Sequence, residues 1–433
     1  MLVEFTCSNH RSILKPVTFS FVASADKTRI EQTFSYKGMN VLPSAIIYGA
    51  NGSGKTSSLD ALRHIKLLVL RSMAFSPQFT RLQRPHKLAA KNNITDSQYT
   101  VSFVKNGVPY RYGFVLGKDR IQSEFLYTYP NGRKRKIFSR DGEKVSFGTA
   151  YKREVFSAAL GALRKNRLFL SCAADLCGVS EILEAHSFFC EDLVFCWSGS
   201  QNTMTINYLD EQGAPHEESW ETYALREIQE NESLRKQILR LMNDFGHPFK
   251  DIQVESKSLS ASDFPPIFKD DVVQNVKIQA RRAKVDWGEF STDLFTEESS
   301  GIRKLCWFLV PFLDALREGK VLICDELDNH LHESVVIRLI DMMNQQDGLK
   351  NVPQFLLTAH SSSFLTPDRF RRDQIWFTEL RPEDRSTDLY SLSEIKDVRA
   401  GEDYRRGYLR GRYGAIPALN YGFSLLANED GDR

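Results

Sequence analysis

The chain opens on β-forming residues, Leu2-Val3-Glu4-Phe5-Thr6-Cys7 and then Val17-Thr18-Phe19-Ser20-Phe21-Val22. Their pattern predicts two strands joined by a turn near Lys15-Pro16. Ser44-Ala45-Ile46-Ile47-Tyr48 is a short apolar run closed by Gly49, as in a buried strand. Beyond a glycine-rich stretch, Leu59, Leu62, Ile65 and Leu68/Val69 recur at helical spacing, so strand, loop and helix follow one another. From about 99 to 148, the segments Tyr99–Phe103, Tyr110–Leu116, Phe125–Tyr129 and Lys136–Phe138 are separated by Asn106-Gly107, Gly117-Lys118 and Asn131-Gly132. Successive hairpins and an antiparallel sheet are expected there.

Between about 150 and 250 the period becomes helical, most clearly over 221–245, where Leu225, Ile228, Leu234, Ile238, Leu241 and Phe245 mark one face. Heptads are not sustained as a long coiled-coil arm would need, so a compact helical lid is expected. The serine-rich, proline-containing stretch Ser256–Pro266 reads as a loop, and a strand pair around Val276–Ala280 and Lys284–Trp287 follows. The expected organisation is an N-terminal lobe over 1–150, a lid over 151–270 and a C-terminal lobe over 271–433. The fold class is α/β: a mixed sheet with a P-loop core, an antiparallel β lobe and an inserted helical lid.

Composition adds exclusions. At 433 residues, 42% hydrophobic and 26% charged, the chain can bury a sizeable core and is not a disordered or fibrous protein. Lys and Arg number 57 against 55 Asp and Glu, so any basic surface must be local. The seven cysteines lack a C-x-x-C pair, and the spacings from Cys172 to Cys196 do not match structural zinc modules. They read as reduced cytoplasmic thiols. No apolar run approaches the roughly 18–20 residues that span a bilayer, so a soluble protein with no membrane partner is expected.

The chemistry lies in two separated segments. Gly49-Ala50-Asn51-Gly52-Ser53-Gly54-Lys55-Thr56 satisfies G-x-x-x-x-G-K-S/T between an apolar strand and an amphipathic helix. Glycines let backbone N–H groups wrap a phosphate, and the helix N-terminus adds its dipole. Lys55 neutralises the β/γ-phosphates and the Thr56 hydroxyl ligates magnesium. The expected nucleotide-binding set is therefore Asn51, Gly52, Ser53, Gly54, Lys55, Thr56 and Ser57, with ATP and Mg2+ as ligands. Val321-Leu322-Ile323-Cys324-Asp325-Glu326 is a buried strand ending in two acids, the Walker B pattern. Asp325 is the second magnesium-side residue, and Glu326 is expected to position or polarise the attacking water. Phe355-Leu356-Leu357-Thr358-Ala359-His360 is another apolar strand, with His360 where ABC ATPases carry a switch histidine. Upstream, Ser299-Ser300-Gly301 opens an apolar helix, and Ser300-Gly301 matches the S-G core of the ABC signature. That helix end can bind the γ-phosphate of ATP held by a second subunit, or can be a plain N-cap; both describe the same geometry.

In this order the motifs resemble the RecF/SMC branch of ABC ATPases, and more closely the AAA-type ATP-binding proteins of bacterial abortive-infection and phage-defence loci, PARIS and Septu among them. The resemblance covers most of both ends. It includes Ser8-Asn9-His10-Arg11-Ser12-Ile13, similar to the family's N-F-R-S element, and Asp325-Glu326-Leu327-Asp328-Asn329-His330-Leu331-His332, similar to D-E-x-D-x-x-L-H. Further matches are Asp373-Gln374-Ile375-Trp376-Phe377, Leu389-Tyr390-Ser391-Leu392 and the stretch Gly407–Pro417. The resemblance implies an ABC-ATPase head in which Arg11 lies beside the nucleotide. It implies ATP hydrolysis by Glu326 and His360 in a homodimer or higher oligomer that restrains or delivers an effector, usually a nuclease from an adjacent gene, in response to a phage protein. Two departures stand out: the family's phenylalanine after Asn9 is His10, and Gln83 is only a weak counterpart of the Q-loop glutamine.

A RecF-like DNA-repair ATPase is the alternative reading. Arg133-Lys134-Arg135-Lys136 reads as a solvated hairpin or as a contact for nucleic acid or an acidic partner. Arg405, Arg406, Arg410 and Arg412 interleave with Tyr404, Tyr408 and Tyr413, which fits nucleic-acid stacking or intersubunit packing.

Overall fold

The structure, a computed structural model, describes residues 1–74, 83–198, 204–209, 215–259, 278–345 and 351–417. The first of its two large sheets is antiparallel, with strands in the order Lys144–Phe147, Arg135–Asp141, Ile121–Thr128, Val108–Leu116, Ser97–Lys105, Leu2–Ser8 and Val17–Ser20. The opening strands pair from Glu4↔Ser20 to Cys7↔Val17, closing near the expected turn. Asn106 and Gly107 both take left-handed φ, 50° and 72°, which suits the right-handed twist of a tight hairpin.

The second sheet positions the chemistry. Leu193–Ser198, Val321–Cys324, Gln354–Thr358, Ser44–Tyr48 and Ile375–Leu380 run parallel in that order. Thr387–Ser391 closes one side antiparallel, and Met204–Leu209 with Pro215–Ser219 closes the other. Parallel strands covered on both faces need apolar residues throughout, which is why Ser44–Tyr48 and Val321–Cys324 read as unbroken runs and are buried at every position. Side chains still alternate. Ala45, Ile47, Val321 and Ile323 face the core shared with the antiparallel lobe, whereas Ile46, Tyr48, Leu322 and Cys324 face the core under the C-terminal helices. The register Cys324↔Leu357 and Leu357↔Ile46 brings the C-terminal ends of these strands level. The loops after Tyr48, Cys324 and Thr358 therefore leave one edge, the ligand-binding edge of an open α/β sheet.

The stretch 151–270, expected as a compact helical lid, contains strands as well as helices. Helices Phe169–Leu176 and Ser180–Ser187 bury Phe169, Cys172 and Ile182 against the antiparallel lobe. Glu124 anchors the first of them by accepting the Phe169 and Leu170 amides at 2.6 and 2.9 Å. Leu193–Ser198 then enters the central sheet beside Val321–Cys324. A short apolar run between helices carries no period by which a strand is told from a helix, so Leu193-Val194-Phe195-Cys196 does not declare itself in the sequence. The helical face over 221–245 is two helices, Trp220–Glu230 and Glu232–Asp244, packed on Ser300–Glu318. Asn231 divides them, its side chain accepting the Leu234 amide at 3.0 Å as an N-cap.

The expected strand pair is also corrected. Ile278–Asp286 is one strand, antiparallel to Asp251–Leu259 from Asp251↔Asp286 to Leu259↔Ile278. Residues Ser256–Leu259, expected as loop, are thus strand, while 260–266 and 276–277 lie outside the described residues. Among the described residues no helix is long and apolar enough to cross a membrane.

Candidate nucleotide site

The Gly49–Thr56 loop joins the strand Ser44–Tyr48 to the helix Lys55–Arg71. Gly54 precedes that helix at φ 109°, and a Cβ there would lie 2.0 Å from Thr387 Oγ1 and 2.9 Å from Ser12 Oγ. Conformation and space both demand glycine. Asn51 and Gly52 are exposed at the loop tip, whereas Ser53 is buried with its hydroxyl 2.7 Å from that of Thr378. Lys55 is buried, and its Nζ donates to Gly49 O at 2.7 Å, folding the ammonium back over the loop. Burial lowers its pKa, while Asp325, Glu326 and Asp328 oppose that shift. Thr56 and Ser57 are half-buried in the first helical turn.

Thr56 and the Walker B acids meet across the sheet edge. Thr56 Oγ1 donates to Asp325 Oδ2 at 2.9 Å. Thr358 Oγ1 donates to Asp325 Oδ1 at 2.6 Å and accepts the Glu326 amide at 2.7 Å, so one hydroxyl fixes both acids. Burial raises the Asp325 pKa; the hydroxyls of Thr358 and Thr56 pull it down, and neighbouring Glu326 adds to the rise. A hydroxyl and a carboxylate at this separation form a hard-oxygen pair suited to a small divalent cation, so these residues fit Mg2+. Glu326 sits at φ 54°, and its Oε1 is 3.4 Å from His360 Nε2. Asp328 Oδ2 accepts the His360 and Ser361 amides at 2.9 and 2.7 Å, holding the loop that carries the histidine.

Arg11 lies at the other end of the loop system. Asn9 and Arg11 both take left-handed φ, 51° and 49°, and the Asn9 side chain binds the His86 amide and Asp96 O. Arg11 Nε is 2.6 Å from Asp60, a buried carboxylate of the helix after the P-loop, which also meets His10 Nε2 at 3.0 Å and Arg84 Nη1 at 3.2 Å. These partners outweigh burial and bring the Asp60 pKa down to about 2. His10 is wholly buried and burial lowers its pKa; its Nε2 lies 3.0 Å from Asp60 and its Nδ1 2.9 Å from the Tyr99 hydroxyl. The histidine that replaces an expected phenylalanine thus ties the opening loop to the P-loop helix. Arg11, Ser12, Arg84, His86, Lys87 and Arg385 line a cavity of about 740 Å³. It adjoins the P-loop, because the Ser12 hydroxyl is 2.7 Å from Thr387 Oγ1, which donates to Ser53 O at 2.9 Å.

Ser300 and Gly301 take no part in these hydrogen bonds. Ser299, not Ser300, is the N-cap of Ser300–Glu318, its hydroxyl accepting the Ile302 amide at 3.2 Å, and Ser300 is exposed. A Cβ on Gly301 would lie 2.6 Å from His330 O, so glycine allows the helix start to approach the loop after Walker B.

The structure also places Gln83 and the two basic runs. Gln83 Nε2 donates to the carbonyls of Thr95 and Leu116, which commits its amide to the antiparallel lobe. Tyr404, Tyr408 and Tyr413 are buried, with Tyr408 stacked on Phe377 at 5.5 Å, so they cannot serve as an exposed platform for bases. Arg412 pairs with Glu402 at 2.9 Å. In the other basic run, Arg135 pairs with Glu181 at 2.7 Å and Lys134 lies 3.8 Å over the Tyr127 ring, as on a solvated hairpin. Asp60, Arg84, Thr358 and Thr387 join the contacts around the expected site residues without any motif to mark them; Thr358 stands two residues before His360, but nothing local sets it apart from other strand-end threonines.

Among solved structures, the chain is similar to an SMC head bound to the C-terminal winged-helix domain of ScpA, at 13% identity and TM-score 0.44, covering 91% of this chain and 98% of that one. An SMC head domain from Thermotoga maritima matches at 14% identity and TM-score 0.40, covering 90% and 98%. An SMC head from Pyrococcus furiosus with an extended coiled coil, bound to the C-terminal domain of ScpA, matches at 11% and 0.39, covering 90% and 96%. Likenesses this distant carry no functional argument. Among curated proteins none matches the chain. Residues 44–150 and 220–366, more than half of the chain and inclusive of Gly49–Thr56, Ser300-Gly301, Asp325-Glu326 and His360, match the family described as "AAA domain, putative AbiEii toxin, Type IV TA system". The chain, an ATPase-type protein with its P-loop on an α/β sheet, belongs to that AAA family.

Proposed function

We propose that the chain binds ATP with Mg2+ and hydrolyses it in a composite site made by two copies, as the sensor or scaffold subunit of a PARIS- or Septu-like phage-defence system. The observation that carries the ATPase reading is the 2.9 Å contact between Thr56 and Asp325, which joins two motifs 269 residues apart at one sheet edge. Lys55 and the amides at the start of its helix hold the phosphates, and the cavity beside Arg11 receives the nucleoside. Mg2+, held by Thr56 and Asp325, supplies charge neutralisation on the phosphate oxygens. Glu326 orients the attacking water and His360, beside it, contacts the transferring phosphoryl group.

The signature end of a second copy completes the site. Because Ser299 already caps its helix, the exposed Ser300 hydroxyl and the helix dipole are free for a partner's γ-phosphate. Mixing a Lys55→Ala chain with a Ser300→Arg chain, each inactive alone, tests this. One of the two sites in the mixed dimer is intact, and partial recovery of turnover is expected. Verified mixed dimers that recover nothing, where single-site turnover is independently shown, would overturn the composite site; so would full activity in a strictly monomeric preparation.

The AbiEii toxin and type IV toxin–antitoxin terms in the family description support the defence role over the RecF-like alternative. The buried tyrosines of the C-terminal segment remove one feature that favoured nucleic acid. ATP-dependent co-purification with the product of the adjacent gene, a nuclease or toxin, is the expected result. Binding of DNA in place of any such protein would favour repair.

A further inference from the structure

Lys304 stands on the signature helix, one turn beyond Ser300. Its Nζ donates to Glu326 O at 2.7 Å, Asn329 O at 2.7 Å and Leu327 O at 3.1 Å. An ammonium has three donors, and here each meets a carbonyl of the turn after Walker B. The same turn is held from a second point, where Gly301 approaches His330 O. Glu326 and His330 both occupy left-handed φ, 54° and 62°, a region that residues other than glycine keep only where their surroundings over-determine it. Thr358 fixes the Glu326 amide from the strand side, and Lys304 fixes its carbonyl from the helix side.

We propose that Lys304 is a positioning residue for hydrolysis: it locks the Glu326 backbone of its own chain to the signature helix, aiming the carboxylate. One chain's signature, which serves its partner's nucleotide, and its Glu326, which serves its own, then move as one body. The inference rests on the ATPase reading of the site and adds a role that no sequence motif carries.

The test is Lys304→Met, which keeps the length of the stem and removes the donors. Turnover of the folded protein is expected to fall about tenfold or more, with ATP affinity by calorimetry within about twofold of wild type. Unchanged turnover, or a loss explained by ATP affinity, overturns the proposal. If Lys304→Met does not fold, Lys304→Arg is judged by the same split, with at least a threefold loss of turnover expected, because a planar guanidinium cannot direct donors as an ammonium does. The mixed dimer then assigns the chain. Added to the Ser300→Arg chain, whose Walker A and Glu326 form the intact site, Lys304→Met should abolish most of the recovered activity. Added to the Lys55→Ala chain, which gives only its signature, it should not. The reverse pattern makes Lys304 part of the signature and sinks the proposal. A parental mixture without activity counts against the composite site, and the role of Lys304 is then decided by the turnover and affinity of the single variant. Wild-type protein without ATP turnover removes the ATPase reading itself.

Discussion

Lys55→Ala is expected to abolish ATP binding, with affinity falling at least about 100-fold, equivalent to roughly 2.7 kcal/mol. The ammonium is a buried cation that interacts with Asp325 and Glu326, and its partners in the chain are the carbonyls of Gly49 and Ala50. Without it, the triphosphate would approach two carboxylates with no fixed positive charge between them. The glycine loop and the helix dipole remain, so the loss is electrostatic and not a collapse of the loop. Calorimetry on folded Lys55→Ala protein checks this, and wild-type affinity would show that the phosphates bind elsewhere.

Glu326→Gln should separate binding from turnover. The amide keeps the length and shape of the side chain, and the backbone contacts that hold residue 326, from Thr358 and Lys304, do not involve its carboxylate. What disappears is the negative charge that orients the attacking water. Turnover is expected to drop by about 100-fold or more while ATP still binds, so the protein should accumulate as an ATP-bound assembly on size exclusion. Hydrolysis within about twofold of wild type, under roughly 0.5 kcal/mol of barrier, would assign the role to another residue.

The nucleotide site is legible in the chain where its parts are contiguous. Gly49–Thr56, the acids after Val321–Cys324 and Ser300-Gly301 each announce themselves by local pattern, because a loop that wraps phosphate or a strand that delivers a carboxylate needs fixed residue types at fixed spacing. Asp60, Thr358 and Lys304 do not, because their roles exist only once distant segments meet. A buried aspartate in a helix, a threonine at a strand end and a lysine on an amphipathic helix are ordinary residues until the fold gives them partners. The same limit explains where the observed elements differ from those expected. Leu193–Ser198 lies in a stretch whose pattern reads as helical, and the break expected between Ala280 and Lys284 falls inside the strand Ile278–Asp286.

The position of Ser44–Tyr48 in the central sheet bears on how the protein is made. Its neighbours are Gln354–Thr358 and Ile375–Leu380, so a strand that leaves the ribosome early has neither hydrogen-bonded edge covered until the last third of the chain follows. Gly54 likewise packs on Thr387. A nascent chain halted before residue 354 would hold a complete P-loop sequence on a strand with two open edges, prone to pair with other chains and unable to clasp nucleotide. Translation therefore passes through a long interval in which the motif is present and its function is not, and molecular chaperones would have most to protect in that interval.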